Sequence, residues 1–201
     1  MLTLKKIAIT GGLCSGKSAV CKIFKDLGAY IVSSDEIVHN LLQYDRILQN
    51  KIVTLLGSDV LSDHVLDREK ISKIVFSDSD KLYALEQLIH PAVFRMIEEA
   101  FKKVENNQEY SFFVAEVPLL FETKSENLFD FVIAVSSEKE ICHNRFIQRT
   151  HQSIFEFENR MTKQLCVKEK NAKADFVIFN NGTIQDLKTQ VTQLSNKLRS
   201  I

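Results

Sequence analysis

Eight consecutive residues constrain this chain more than any others: Gly11-Gly12-Leu13-Cys14-Ser15-Gly16-Lys17-Ser18, which follow the pattern G-x-x-x-x-G-K-[ST]. Such a loop works only between a strand and a helix. Ile7-Ala8-Ile9 before it reads as a buried strand. Val20, Ile23, Phe24 and Leu27 after it fall at helical spacing, and Gly28 stands where that helix would stop. Backbone N–H groups of the loop and of the helix N-terminus then converge on one cavity that favours a polyphosphate. Lys17 supplies a mobile positive charge for the terminal phosphates, and Ser18 offers a hydroxyl to magnesium. Cys14 stands where most such loops carry a third glycine. It is either a strained residue at positive φ or a small side chain beneath the phosphates. A reactive thiol at the helix N-terminus is a third reading.

Composition excludes several classes. The 201 residues carry 26 basic and 26 acidic side chains, so no global charge draws the chain to nucleic acid or an anionic membrane. Cys14, Cys21, Cys142 and Cys166 lack C-x-x-C spacing, which argues against a disulfide framework or a structural zinc site. No apolar run is long enough to cross a bilayer, and Lys5-Lys6 belongs to a strand rather than a signal peptide. The expected location is the cytoplasm, with no membrane, nucleic-acid or protein partner.

Four further apolar runs read as buried strands: 29–32, 111–115, 131–135 and 176–179. Runs apolar throughout suit a parallel sheet covered on both faces, and helices alternate with them, so the class is α/β with about five strands sandwiched by helices. Between Asp35 and Gln108 no strand is expected. Stripes at 37–42, 47–56 (closed by Gly57) and 82–89 read as helices, and Pro91 interrupts or restarts the last before Phe94, Ile97, Phe101 and Val104. From 136 to 173 the chain is charged and helical. Ser137-x-x-Glu140 and Ser153-x-x-Glu156 predict capping boxes for two helices joined near 150–152, which look like a lid. Leu187, Val191, Leu194 and Leu198 stripe a final helix.

In parallel sheets ligands bind at the carboxyl ends of strands, and several candidate residues follow strands. Asp35 either accepts a proton from an attacking hydroxyl, helps hold magnesium, or caps a helix. Glu116 either orients magnesium or its waters or is an ordinary strand end. The loop Pro118-Leu119-Leu120-Phe121-Glu122 either holds an apolar ligand or plugs the core. Arg145 and Arg149 lie four apart on one helical face, reaching the transferring phosphate or facing solvent. His90, before Pro91, is a helix-junction residue or a hydrogen-bonding contact to substrate. His39, His64, His143 and His151 receive no role.

In combination these features resemble the dephospho-coenzyme A kinases. The resemblance rests on Thr10-Gly11-Gly12 opening the loop, Asp35 as the second acid of an Asp-x-Asp motif, and Leu66-Asp67-Arg68 with Val75-Phe76. It extends through Leu85-Glu86 with Ile89-His90-Pro91 and, more specifically, Val117-Pro118-Leu119-Leu120-Phe121-Glu122. Arg145, Arg149, Arg160, Gln164, Glu169-Lys170, Ala174-Asp175 and Asn180-x-Gly182 continue it in order. It implies a P-loop NTP hydrolase-type core (1–36, 109–137 and 174–201), a helical acceptor-binding insertion (37–108) and lid helices (138–173). It further implies transfer of the γ-phosphate of ATP to the ribose 3′-hydroxyl of dephospho-coenzyme A, giving coenzyme A and ADP. In that reading Gly11, Gly12, Leu13, Cys14, Ser15, Gly16, Lys17, Ser18 and Ala19 bind ATP. Asp35 is the general base, and Lys17, Arg145 and Arg149 stabilise the transferring group. Asp35, His90, Leu119, Leu120, Phe121 and Glu122 contact the acceptor. Ser18 holds Mg2+, with Glu116 behind it.

Three residues depart from the family pattern. Ser33 replaces the first acid of Asp-x-Asp, Cys14 the loop glycine, and Cys142 a glutamine three before Arg145. The loss of the acid implies weaker magnesium or ribose contacts, and with Cys14 a slower turnover. The competing readings are a P-loop kinase for a smaller acceptor and a nucleotide-binding switch. Against the switch, the chain lacks an N-K-x-D-like guanine-reading motif and has an arginine-bearing lid.

Overall fold

The computed structural model describes residues 4–62 and 65–201; His64 lies outside them. Two compact units emerge, one of residues 1–33 and 101–201, the other Ser34–Ala100.

The first unit is built on a parallel sheet of β1 (Lys5–Gly11), β2 (Ala29–Ser33), β5 (Phe112–Glu116), β6 (Phe131–Ser136) and β7 (Phe176–Phe179), in spatial order β2-β5-β1-β6-β7. Each of the five apolar runs is a strand of this sheet. β1 is central because its side chains can be buried on both faces. Ile7 and Ile9 join Phe112, Val114, Ile133 and Val135 in the core under α1 (Lys17–Asp26) and α9 (Ile184–Ser200). On the opposite face stand the small residues Ala8, Ala115 and Ala134. There α8 (Val167–Lys173) packs against β1 and β6. Gly28, at φ 89°, ends the turn that closes α1, as expected from the sequence.

After β6 come α6 (Lys139–Thr150), α7 (Ile154–Met161) and α8. His151, at φ 56°, ends α6, and the Ser153 hydroxyl accepts from Glu156 N–H to start α7. The expected box at Ser137-x-x-Glu140 does not form: Glu138 is the N-cap of α6 and carries no side-chain cap bond. The Ser137 hydroxyl donates to the Asn180 carbonyl, just past β7, instead.

The second unit contains α2 (Ser34–Tyr44), α3 (Arg46–Leu56), a 3-10 turn at Ser58–Val60, α4 (Arg68–Ser77) and most of α5 (Ser79–Val104). Asp45 and Asp67 cap α3 and α4. Two departures from expectation occur here. The two-residue strands β3 (Leu61–Ser62) and β4 (Val65–Leu66) form an antiparallel pair, too short for any periodicity to announce. And Pro91 lies inside one 26-residue helix. Interior proline costs a helix roughly 3 kcal/mol. Here Leu85, Ala92, Val93 and Ile97, all buried, carry one apolar face past it.

Candidate active site

The glycine loop closes at the carboxyl end of β1. Gly11, at φ 143°, pairs in register with Val135, and a Cβ there would collide with the Val135 carbonyl. Only glycine lets β1 approach β6 this closely. Cys14 adopts φ 56°, so the strained alternative holds; such a conformation costs a non-glycine residue of order 1–3 kcal/mol. Its side chain packs, with Leu13, on a cluster of Cys142, Phe146 and Phe157 from α6 and α7. Two of the three departures from the family pattern therefore meet at one contact.

Lys17 Nζ donates to the carbonyls of Gly11 (3.2 Å) and Gly12 (2.9 Å), folding the ammonium over the loop. The exposed Ser18 hydroxyl donates to Glu116 Oε1 at 3.0 Å. Glu116 closes β5 and pairs in register with Ile9 of β1 and Ser33 of β2. Burial, together with the charge and hydrogen bond of Glu116, pushes the Cys21 thiol far above the ordinary thiol range, so it stays protonated. The oxygen pair of Ser18 and Glu116 is a donor set that suits a hard divalent cation, which keeps most of its waters and takes few protein ligands.

Arg145 and Arg149 share a helix but not a role. The Arg145 guanidinium donates to Ser137 Oγ (3.1 Å), the Asn180 carbonyl (3.1 Å) and, more weakly, the Ser15 carbonyl (3.4 Å). It is docked on the back of the glycine loop. Arg149 is exposed and makes no hydrogen bond or ion pair with a described residue.

The loop after β5 divides between the two readings open to it. Leu120 and Phe121 are buried, as a core plug requires, whereas Leu119 is only half-buried. Glu122 Oε1 accepts from Leu165 N–H (2.9 Å) and from the fully buried Lys170 ammonium (2.8 Å). Lys170 also donates to the Pro118 carbonyl (2.8 Å), stapling both ends of the loop to α8. In the sequence Lys170 is only one more residue of the family pattern, beside Glu169.

Two candidates lie in the second unit. Asp35 is in the first turn of α2, two residues beyond the end of β2. It is exposed, caps nothing and has no hydrogen-bond partner among the described residues. His90 is half-buried in α5. Burial lowers its pKa below the ordinary 6.5, with Glu86 opposing in part, so the ring is neutral at pH 7. A histidine depressed in the folded state costs stability as pH falls, because the unfolded chain takes up the proton first. The thermal midpoint is expected to fall as pH drops below 6.5, and His90→Gln should flatten that slope. Equal slopes in the two proteins, followed by scanning calorimetry between pH 5 and 7.5, would exclude His90 as their source.

A glycine loop gripping a lysine at the end of a central parallel strand, with Arg145 of α6 docked behind it, is the frame of a P-loop kinase. Shikimate kinase from Acinetobacter baumannii has the same fold, with a TM-score of 0.52 at 16% identity over 97% of this chain and 96% of that one. The kinase group can be named more closely. The family model for dephospho-CoA kinase matches residues 5–186, and the dephospho-CoA kinase of Protochlamydia amoebophila (strain UWE25) is 44% identical over 200 residues, covering 99% of this chain and 98% of the relative. The chain belongs to the dephospho-CoA kinase family. A solved dephospho-CoA kinase from Campylobacter jejuni is similar at 28% identity and a TM-score of 0.71, covering 96% of each chain. No helix among the described residues is long and apolar enough to cross a membrane.

Proposed function

We propose that this chain carries out its family's reaction: it moves the γ-phosphate of ATP to the ribose 3′-hydroxyl of dephospho-coenzyme A, giving coenzyme A and ADP in the cytoplasm, the last step of coenzyme A synthesis. The observation that carries this reading is family membership along nearly the whole chain, from β1 into α9.

In this reading the loop from Gly11 to Ala19 wraps the phosphates. Lys17 exchanges its grip on the Gly11 and Gly12 carbonyls for the terminal phosphates. Mg2+ bound at Ser18, with Glu116 behind it, would offset charge on the β- and γ-phosphates. Asp35, exposed and with no hydrogen-bond partner among the described residues, accepts the 3′-hydroxyl proton as that oxygen attacks. Arg149, exposed and without a hydrogen bond or ion pair to a described residue, reaches the transferring group. Arg145 acts from its dock on the loop. His90 donates or accepts a hydrogen bond to the acceptor as a neutral ring. Leu119 is the member of the 119–122 set with apolar surface to offer, while Leu120, Phe121 and Glu122 hold the loop in place. The helices at 37–108 form the acceptor-binding insertion, and those at 138–173 the lid.

Acceptor choice is the testable core. With ATP and magnesium, ADP release should depend on added dephospho-coenzyme A and remain at background with shikimate or a nucleoside. Release with those smaller acceptors alone would favour a different P-loop kinase. Tight ATP binding with no acceptor-dependent release would favour a nucleotide switch.

A further inference from the structure

Asn180 follows β7 at the same sheet edge as the glycine loop. Its backbone N–H donates to the Ser136 carbonyl (2.8 Å), extending the β6–β7 ladder by one rung. Its side-chain amide, on a residue 7% exposed, donates to the Ser15 carbonyl at 2.9 Å. The opposite amide orientation would set Oδ1 against that carbonyl, two acceptors face to face, so the network selects the donor.

Among the described residues no other donor reaches the Ser15 carbonyl as closely. Ser137 has one hydroxyl proton and two acceptors within reach, the Asn180 carbonyl at 2.7 Å and the Ser15 carbonyl at 3.1 Å. The nearer takes it. Arg145 Nη1, with two N–H groups, donates to Ser137 Oγ at 3.1 Å and reaches the Ser15 carbonyl only weakly, at 3.4 Å. Asn180 Nδ2 is left as the short, dedicated donor to Ser15. Ser137 and Arg145 in turn hold the Asn180 carbonyl, and so hold Asn180 itself.

The Ser15–Gly16 peptide is trans, so its C=O and N–H point in opposite directions. With the carbonyl pinned to Asn180, the Gly16 N–H faces the other side of the loop, where it has no partner among the described residues. The packing is tight: a Cβ on Gly16, which sits at φ 98°, would run into the Asn180 amide. We propose that Asn180 is a positioning residue for the nucleotide, holding the Ser15–Gly16 peptide so that the Gly16 N–H is already aimed at the phosphates before ATP arrives. This rests on the reading of the loop as the ATP site.

The test is calorimetric titration of the full chain with ADP and magnesium, with no acceptor present. Asn180→Leu keeps nearly the shape, adds no charge and removes the donor, and Kd for ADP should rise about tenfold, the worth of one lost hydrogen bond. Ser137→Ala, which only loosens Asn180, should raise it about threefold. KM for ATP should rise in step while KM for dephospho-coenzyme A stays within about twofold, and the amide resonance of Gly16 should lose its ADP-induced shift. A merely structural asparagine would lower the melting temperature and leave ADP affinity alone. Unchanged ADP affinity in folded Asn180→Leu overturns the proposal. Should that variant not fold, unchanged affinity in Ser137→Ala does so. Wild-type protein that binds ADP yet ignores dephospho-coenzyme A would sink the proposed reaction and leave this inference standing.

Discussion

Asparagine in place of Asp35 is expected to lower phosphate transfer by roughly 10²–10⁴-fold, the range of a positioned general base, while ATP affinity stays within about twofold. The expectation comes from placement. Asp35 lies just beyond β2, at the strand ends where parallel sheets bind ligands. Its carboxylate is exposed and engages no other described group, so no structural bond is lost on substitution. Asparagine keeps the shape and removes the capacity to take a proton. Single-turnover rates measure the chemical step, and titration with ATP measures binding. Near-normal transfer by the variant would remove Asp35 from the base role. Parallel loss of ATP affinity would instead point to a magnesium or nucleotide contact.

The largest expected effect on stability is at Lys170. Its ammonium is fully buried and bonded to Glu122 and to the Pro118 carbonyl; the Glu122 side chain is 19% exposed. Lys170→Met retains the apolar stem but strands a carboxylate and a carbonyl. Breaking a buried pair by removing one partner costs about 3–5 kcal/mol. For a chain of this size that lowers the melting temperature by roughly 6–20 °C. The double variant Lys170→Met/Glu122→Gln should recover part of the loss, since no unpaired charge remains. A single variant melting within a degree or two of wild type, followed by circular dichroism, would mean that the pair stabilises little.

The places of these two residues were unequally legible in the sequence. That Asp35 lies just past a strand was legible because it follows the apolar run 29–32 by a few residues, and strand-end position is a local property; its role as base is a proposal. The glycine loop was legible for the same reason. Lys170 was not, because its partner Glu122 is far off in sequence and only the packing of α8 brings the two together. Ser137 does not cap its helix for a related reason: the S-x-x-E pattern is satisfied locally, but the Asn180 carbonyl, distant in sequence, takes its proton. Pro91 predicts an interrupted or restarted helix because proline's local cost is certain, whereas the buried face formed by Leu85, Ala92, Val93 and Ile97 is a property of the folded chain. The loop Pro118–Glu122 could be read two ways because an apolar run does not say which of its side chains turn inward; Leu120 and Phe121 do.

The most direct test of the central claim is the chemical identity of the product. The protein is incubated with ATP, magnesium and dephospho-coenzyme A, and the acceptor is followed by mass spectrometry and ³¹P NMR. Gain of one phosphate, carried as a monoester on the ribose 3′-oxygen, is the predicted result. An acceptor recovered unchanged while ADP accumulates, or phosphorylated at any other position, would contradict it.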